Sequence, residues 1–357
     1  MKNIYPLQRA KAWRSYLGGA MIGAFFGEDG VRDGHYPEEW IASVVPARNA
    51  GRPATDPPEG LSMLKDDPGV SLRDLLAAEP ARLLGSDHVR RWGASPGVLL
   101  KIIDAAERLT IQVHPDRATA AALFNSPFGK TECWHILGGR DINGERPCIY
   151  FGFKPGVTRA RWEGVFAAQD IPAMLDCLHR LDVRAGETYL IPGGIPHAIG
   201  AGCFLLEVQE PTDFTIRTER TTPSGMVVPD ESCHQGLGFA RMFDCFHYDG
   251  VSRDELLRHW RVERQGDTLI SHAQSGCFAM AIHDCEQART LPATGAFRGL
   301  FVLSGQGVIA ADGERQTARK GDQFFVAASA GEVQLLPETA MTLIEFAGPQ
   351  CAASQEN

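Results

Sequence analysis

Short apolar runs separated by turn residues dominate the chain from Gly97 onward, and that texture restricts it to a mainly β architecture. GVLLKIID, RLTIQVHPD, CWHILGG, PCIYFGF, ETYLIPGG and CFLLEVQE each place a few Val, Ile, Leu or aromatic residues between Gly, Pro or charged breaks, the length and make-up of β-strands. Among them Trp162, Val165 and Phe166, then Met174, Leu175 and Leu178, recur at helical spacing, so a helical insertion is expected at about 157–182. Past Asp249 and Gly250, Ser252 and Glu255 give a capping-box pattern before the helix DELLRHW. RGLFVLSGQGVIAADGERQTARKGDQFFVAA then returns to strand texture, with a hairpin at Asp312-Gly313. The expectation is a mainly β fold with inserted helices: a first barrel over residues 1–245, carrying an N-terminal extension, and a second, smaller one over 246–357.

Residues 46–70 are rich in Pro, Gly and Asp and read as a long functional loop or lid. Ser71 then caps a short helix through Leu72, Leu75 and Leu76. The 357 residues carry 44 acidic against 35 basic side chains, a net charge of -9. Nucleic acid is therefore not an expected partner, because its binding rests on clustered Lys and Arg. No run approaches the ~20 apolar residues that span a bilayer. The opening MKNIYPLQRAKAWRSYLGG has no apolar signal core, so no membrane partner is expected and the cytoplasm is the expected location. The nine cysteines, Cys133, Cys148, Cys177, Cys203, Cys233, Cys245, Cys277, Cys285 and Cys351, are dispersed without a C-x-x-C pair. Reduced and mostly buried thiols are expected.

Strand alternation in LTIQVHPD puts Thr110, Gln112 and His114 on one face and Ile111 and Val113 on the other. If that polar face points into a barrel, its groups need partners, since burying them uncompensated is costly. Hydrogen bonds or a metal ion would serve, and a Q-x-H alone does not choose between them. Downstream, GETYLIPGGIPHAIG fits the second cupin motif, G-x5-P-x-G-x2-H, at Gly186, Pro192, Gly194 and His197. A strand ends at the proline, glycine permits the tight turn, and the next strand begins with an imidazole aimed inward. Between the two segments, Glu132 and Trp134 share one face of a strand and Cys133 and His135 the other. Glu132 is either a ligand or the partner of Lys130 in a surface ion pair. As a set, Gln112, His114, Glu132 and His197 suit zinc, one ion per chain, with a position left open and with manganese or iron the lesser candidates. His135, His179, His234 and His259 complete no such spacing and are expected to be structural or exposed.

LTIQVHPD, GKTECW, YLIPGGIPHAI and LEVQEPTDFTIR together resemble the type I mannose-6-phosphate isomerases of the cupin superfamily, in their short bacterial form. EEWIAS, with Glu38, Trp40 and Ser43, is similar to the E-x-W-x-x-S stretch of that family, so the matching motifs run from about Glu38 to Arg217. The resemblance implies cupin-type (jelly-roll) barrels, the first binding zinc through Gln112, His114, Glu132 and His197. The second is expected to be metal-free, and it has no histidine after His283.

The resemblance also implies an enzyme that interconverts D-mannose 6-phosphate and D-fructose 6-phosphate through an enediol(ate), as a monomer or homodimer. Thr110 would lie near the sugar phosphate, Lys130 and Arg217 would bind substrate and act in catalysis, and Glu207 would transfer the proton, with Lys130 its rival. Glu207 and Gln209 alternate with Phe204, Leu206 and Val208, which favours an inward carboxylate; Asp213 is expected to orient Arg217. Two departures bear on substrate preference. WRSYLGG separates Trp13 from Gly18 and Gly19 where the family joins an aromatic directly to two glycines, and 46–70 replaces a simpler turn. The competing readings are another metal-dependent sugar-phosphate cupin isomerase or epimerase, a cupin oxidoreductase or decarboxylase, and a non-catalytic sugar-phosphate-binding cupin.

Overall fold

The computed structural model of the chain describes residues 2–49, 52–53 and 55–350. Its strands form sheets packed as two face-to-face pairs. In the first pair, a seven-stranded sheet runs in the order Arg261–Val262, Thr188–Ile191, Glu132–Gly139, Cys203–Gln209, Leu99–Asp104, Glu38–Ile41, Ala10–Ala12. It faces a five-stranded sheet ordered Ile216–Arg217, Gln112–Val113, His197–Ile199, Cys148–Phe153, Leu178–Asp182. Alternation sorts every strand by face. Inward Trp134, Ile136, Phe151, Tyr189 and Leu205 close one core between the sheets.

The outward faces are covered too, by different means. Ile111, Val113 and Ile216 pack under the helices Arg159–Ala168 and Ile171–Asp176 through Trp162, Phe166 and Met174. On the other side, Leu100, Ile102, Leu206 and Val208 join Phe301, Phe325, Ile344 and Phe346 of the second pair in one apolar cluster. Each fully buried large side chain there contributes roughly 1.5–3 kcal/mol, so this face holds the two halves of the chain together.

The second pair sets a six-stranded sheet (Ile4–Leu7, Gln323–Val326, Arg298–Ser304, Met341–Ala347, Ala279–Cys285, Thr268–Ile270) against a four-stranded one (Arg289–Leu291, Val333–Pro337, Gln306–Ala311, Glu314–Arg319). Leu300, Val302, Ile309, Phe324, Leu335 and Leu343 fill the space between them. The topology exchanges short segments: Ile4–Leu7 pairs with Gln323–Val326 of the second unit, whereas Arg261–Val262 pairs with Tyr189 and Thr188 of the first. A division into two domains near residue 245 therefore stands as our proposal, with these strands crossing it.

The fold is mainly β with inserted helices, as the strand texture predicts. Ser71 and Ser252 cap the helices Leu72–Ala78 and Arg253–Trp260, and Asp312 and Gly313 turn with φ of 50° and 83°. The strand expected through LTIQVHPD is only Gln112–Val113, because Pro115 has no N–H to offer a ladder and Asp116 already caps the next helix. The eight cysteines among the described residues are free and buried, and Cys351 lies outside them. Among the described residues no helix is long and apolar enough to cross a membrane.

Candidate metal centre

Register builds the site from two facing rows. In the five-stranded sheet His197 and Arg217 flank Gln112 as direct cross-strand neighbours. In the seven-stranded sheet Trp134, Glu207, Lys101 and Trp40 stand side by side on four adjacent strands, with Glu132 two residues before Trp134. The turn after Pro192 can only be made of glycine: a Cβ on Gly193 would lie 2.6 Å from the Asp116 backbone, and one on Gly194, at φ 88°, 2.5 Å from the His247 ring. That turn starts the strand on which His197 points inward.

His114, Glu132 and His197 bring one ligand atom each to within 4.8 Å of one another, all three side chains being buried. Each ring is fixed by a backbone carbonyl, His114 Nδ1 on Phe214 O at 2.7 Å and His197 Nδ1 on Ile195 O at 2.8 Å. These bonds fix the tautomer and leave each Nε2 lone pair facing the site. Burial, reinforced by the Lys130 ammonium, holds His114 neutral by pushing its pKa down to about 3, and burial lowers His197 as well. Burial would raise Glu132, but Lys130 and His114 hold it well below the usual carboxylate range. Gln112 stands beside them, its Nε2 3.4 Å from His197 Nε2.

The two imidazole Nε2 atoms and the Glu132 carboxylate present electron pairs to a cation, whereas Gln112 turns its amide NH2, a donor, toward His197. The Lys130 ammonium shows the former directly, lying 3.0 Å from His114 Nε2 and 2.5 Å from Glu132 Oε1. Two neutral imidazoles and a carboxylate form a donor set that fits a divalent ion of the zinc type. Lys130 and Glu132 do pair, but in the interior and not at the surface.

Next to this cluster is a narrow cavity of about 50 Å³, lined by Thr110, Gln112, Lys130, Glu207 and Arg217 together with Arg14, Tyr16, Glu38, Lys101 and Asp213. Glu207 is held on both oxygens, by Lys101 Nζ at 2.9 Å and Trp134 Nε1 at 3.0 Å. Burial and the nearby Glu132 push its pKa up while Lys101 opposes them. Arg217 hydrogen-bonds only to carbonyls, Ser232 O at 2.9 Å and Thr215 O at 3.3 Å, and among the described residues it forms no ion pair. Asp213 does not orient it as expected. That carboxylate instead faces Arg14 at 3.4 Å and accepts from Arg48 N at 3.1 Å, tying residues 48 and 49 to the cavity wall.

Sequence reasoning missed Lys101, Arg14 and Tyr16. A lysine inside the otherwise apolar LLKIID, fully buried by its neighbours, was the available signal. Tyr16, not Trp13, is the aromatic at the cavity: its hydroxyl donates to Glu38 at 2.8 Å, whereas Trp13 stacks on His35. Of the histidines set aside, His135 bonds Thr188 and His179 the Val251 carbonyl, both away from the cluster.

Glu38 ties Tyr16, Trp40 and Arg14 together through its two carboxylate oxygens. Burial would raise its pKa, but Arg14 at 3.0 Å and Lys101 hold it down to about 2 from 4.5. Because the folded value is the lower one, Glu38 stabilises the fold above pH 4.5 and loses that contribution as pH falls toward 2. Glu38→Gln is thus expected to cost about 3 kcal/mol at neutral pH, with the deficit shrinking in acid. Urea titrations at a series of pH values check this, and a deficit that does not change with pH would refute it.

Residues 269–344 match the family model described as "Mannose-6-phosphate isomerase, cupin domain". The mannose-6-phosphate isomerase of Streptococcus mutans is 28% identical over 271 residues, 75% of this chain and 79% of that one. The mannose-6-phosphate isomerase ManA of Bacillus subtilis is 24% identical over 67% of this chain and 71% of its own length. The chain is thus similar to proteins named mannose-6-phosphate isomerases over 67% to 75% of its length. Solved structures share the architecture along the whole length: the Bacillus subtilis mannose 6-phosphate isomerase superposes with a TM-score of 0.73 at 21% identity, covering 97% of this chain and 99% of that one. A zinc-bound mannose 6-phosphate isomerase superposes with a TM-score of 0.72 at 16% identity, covering 98% and 100%. The likeness thus extends past Arg217, where the sequence motifs stop, through the second sheet pair.

Proposed function

We propose that the chain is a cytoplasmic zinc-dependent aldose-ketose isomerase that interconverts D-mannose 6-phosphate and D-fructose 6-phosphate. The observation that carries the reading is the convergence of His114, Glu132 and His197 beside a buried cavity lined by Gln112, Lys130, Glu207 and Arg217. The names and zinc content of its relatives point the same way.

Gln112, His114, Glu132 and His197 would hold the ion. Bound there, zinc supplies a Lewis acid for the sugar oxygens at the two carbons that exchange oxidation state. The chain's own residues do the rest. The cationic Arg14, Lys101, Lys130 and Arg217 are matched by the anionic Glu38, Glu132, Glu207 and Asp213, so the site is neutral alone and accepts a divalent cation and a dianionic ester together. With a cation on the ligand atoms, the Lys130 ammonium turns to the cavity it lines. Arg217, which keeps unpaired donors, takes negative charge on the substrate.

Glu207 then removes the proton from C2 of the aldose and returns it to C1, while a hydroxyl proton moves between the two oxygens, so that the ketose forms without net proton change. Its raised pKa suits a group that must both accept and give a proton near neutrality. Lys101 keeps the carboxylate in place between turnovers. Entry of a hexose phosphate requires the Arg14, Asn49 and Asp213 contacts at the narrow cavity to part.

The deciding experiment is a coupled assay with mannose 6-phosphate. Fructose 6-phosphate should appear, cease after chelation and return with zinc; binding without turnover in the zinc-replete protein would overturn the proposal. Arg217→Ala should lower kcat/KM by about 10- to 100-fold, the value of a charge-assisted hydrogen bond of ~1.5–3 kcal/mol, with zinc content unchanged. Near-parental kinetics would remove Arg217 from the mechanism.

A further inference from the structure

A second cavity lies away from the metal cluster. It measures about 750 Å³ and opens in the second sheet pair, well inside the ~300–1,000 Å³ range of small-molecule sites. Register explains why space exists there. Ala281 pairs with Glu345, and Glu345 pairs with Leu300 of the inner core, so these side chains face the interior between the two sheets. One pleat further along, Ala279 pairs with Ala347 on the same face. Where the deeper layers carry Leu300, Val302 and Leu343, this layer carries alanines and a charged pair.

The polar groups of the cavity have a definite chemistry. Arg298, 6% exposed, donates NH1 to Glu345 Oε1 at 2.9 Å and NH2 to the Pro292 carbonyl and to Thr294 Oγ1. The other oxygen of Glu345 is held by His283 Nε2 at 2.7 Å. The guanidinium charge is thus already matched by a carboxylate, so a phosphate or carboxylate ligand would meet no uncompensated cation from this pair. Yet of the five N–H groups an arginine offers, Nε–H and one NH1–H are left, and each Glu345 oxygen retains a lone pair. Spare donors and spare acceptors therefore stand side by side in a planar array. Hydroxyl groups, which donate and accept at once, satisfy both. Ala279, Ala281, Ala347 and Pro349 supply small apolar surface against which the C–H face of a ring can lie.

We infer that this cavity is a second ligand site, for an uncharged pyranose sugar, separate from the site for the phosphate ester. It is independent of the reaction proposed above, since none of its residues touches the metal cluster. The test is saturation-transfer NMR on the full chain with D-mannose, D-glucose and D-galactose. At least one hexose should give transfer that persists after chelation and in His197→Ala, and that is lost in Ala281→Leu, whose added bulk fills the cavity while mannose 6-phosphate turnover stays within about twofold of the parent. A readout without mutation is the methyl spectrum of the parent, where Ala279, Ala281 and Ala347 should shift on titration with that hexose. The inference is overturned if no hexose gives transfer at about 50 mM, beyond the millimolar range of weak sites. It is equally overturned if those methyls stay fixed, if transfer survives in a folded Ala281→Leu, or if mannose 6-phosphate binds this cavity more tightly than the free sugar does.

Discussion

His197→Ala should leave a folded protein that neither retains zinc nor turns over mannose 6-phosphate. His197 is 1% exposed, its ring is set by the Ile195 carbonyl, and its Nε2 is 3.7 Å from Glu132 Oε2 across the ligand cluster. Changes to groups that merely orient a ligand cost about 10–100-fold in metal affinity, so loss of the ligand itself is expected to exceed ~100-fold and to empty the site on dialysis. Turnover should fall with it, by about 10³-fold or more, because no other described side chain can supply the missing Lewis acid. Metal analysis after dialysis and the coupled assay read the two effects separately, and circular dichroism reports the fold. Gln112→Ala should be milder, since an amide is the weakest donor of the set and its removal leaves two imidazoles and a carboxylate. Parental zinc content together with parental activity in His197→Ala would dismantle the metal assignment.

How far the sequence disclosed this arrangement depended on whether a residue's role is set by its own strand or by a strand distant in the chain. Thr110, Gln112 and His114 could be assigned to one face by alternation, and Pro192, Gly193 and Gly194 to a turn, because both are local properties of short segments. The turn proved stringent, with no room for a Cβ at Gly193 or Gly194. The helices over 159–176 and the Asp312-Gly313 hairpin were legible for the same reason. Lys101 was not. Its role follows from the register that sets Leu99–Asp104 between Cys203–Gln209 and Glu38–Ile41, so that Lys101 pairs with Trp40 and with Glu207, the latter 106 residues away in the chain. Asp213 was misjudged on the same ground, since alternation within DFTIR says nothing of Arg14, which approaches from the N-terminal segment. The strand exchange at Ile4–Leu7 likewise leaves no local mark on its residues.

Glu207→Gln should abolish exchange of the substrate hydrogen with solvent while sparing the metal. The substitution is nearly isosteric, and the glutamine oxygen can still accept from Trp134 Nε1. The charge is lost together with the acceptor for Lys101, whose ammonium then faces the amide NH2, and with the charge goes the ability to hold a proton between C2 and C1. In deuterated solvent the parent should incorporate label at the migrating position during isomerisation to the extent that the carboxyl proton exchanges before return. In Glu207→Gln both isomerisation and incorporation should fall by about 10²–10⁴-fold, the usual value of a positioned general base. Zinc content should stay at the parental level, because Glu207 reaches the cluster only through the Trp134 indole. Beside Lys130, the rival read from the sequence, the structure adds Lys101 as a candidate base: its Nζ lies 2.9 Å from Glu207 Oε1 and both line the cavity. Their variants separate them. If Lys101 only holds the carboxylate, Lys101→Met should leave incorporation per turnover intact while slowing turnover, whereas a base role for Lys101 would reverse the pattern, with exchange surviving in Glu207→Gln and vanishing in Lys101→Met.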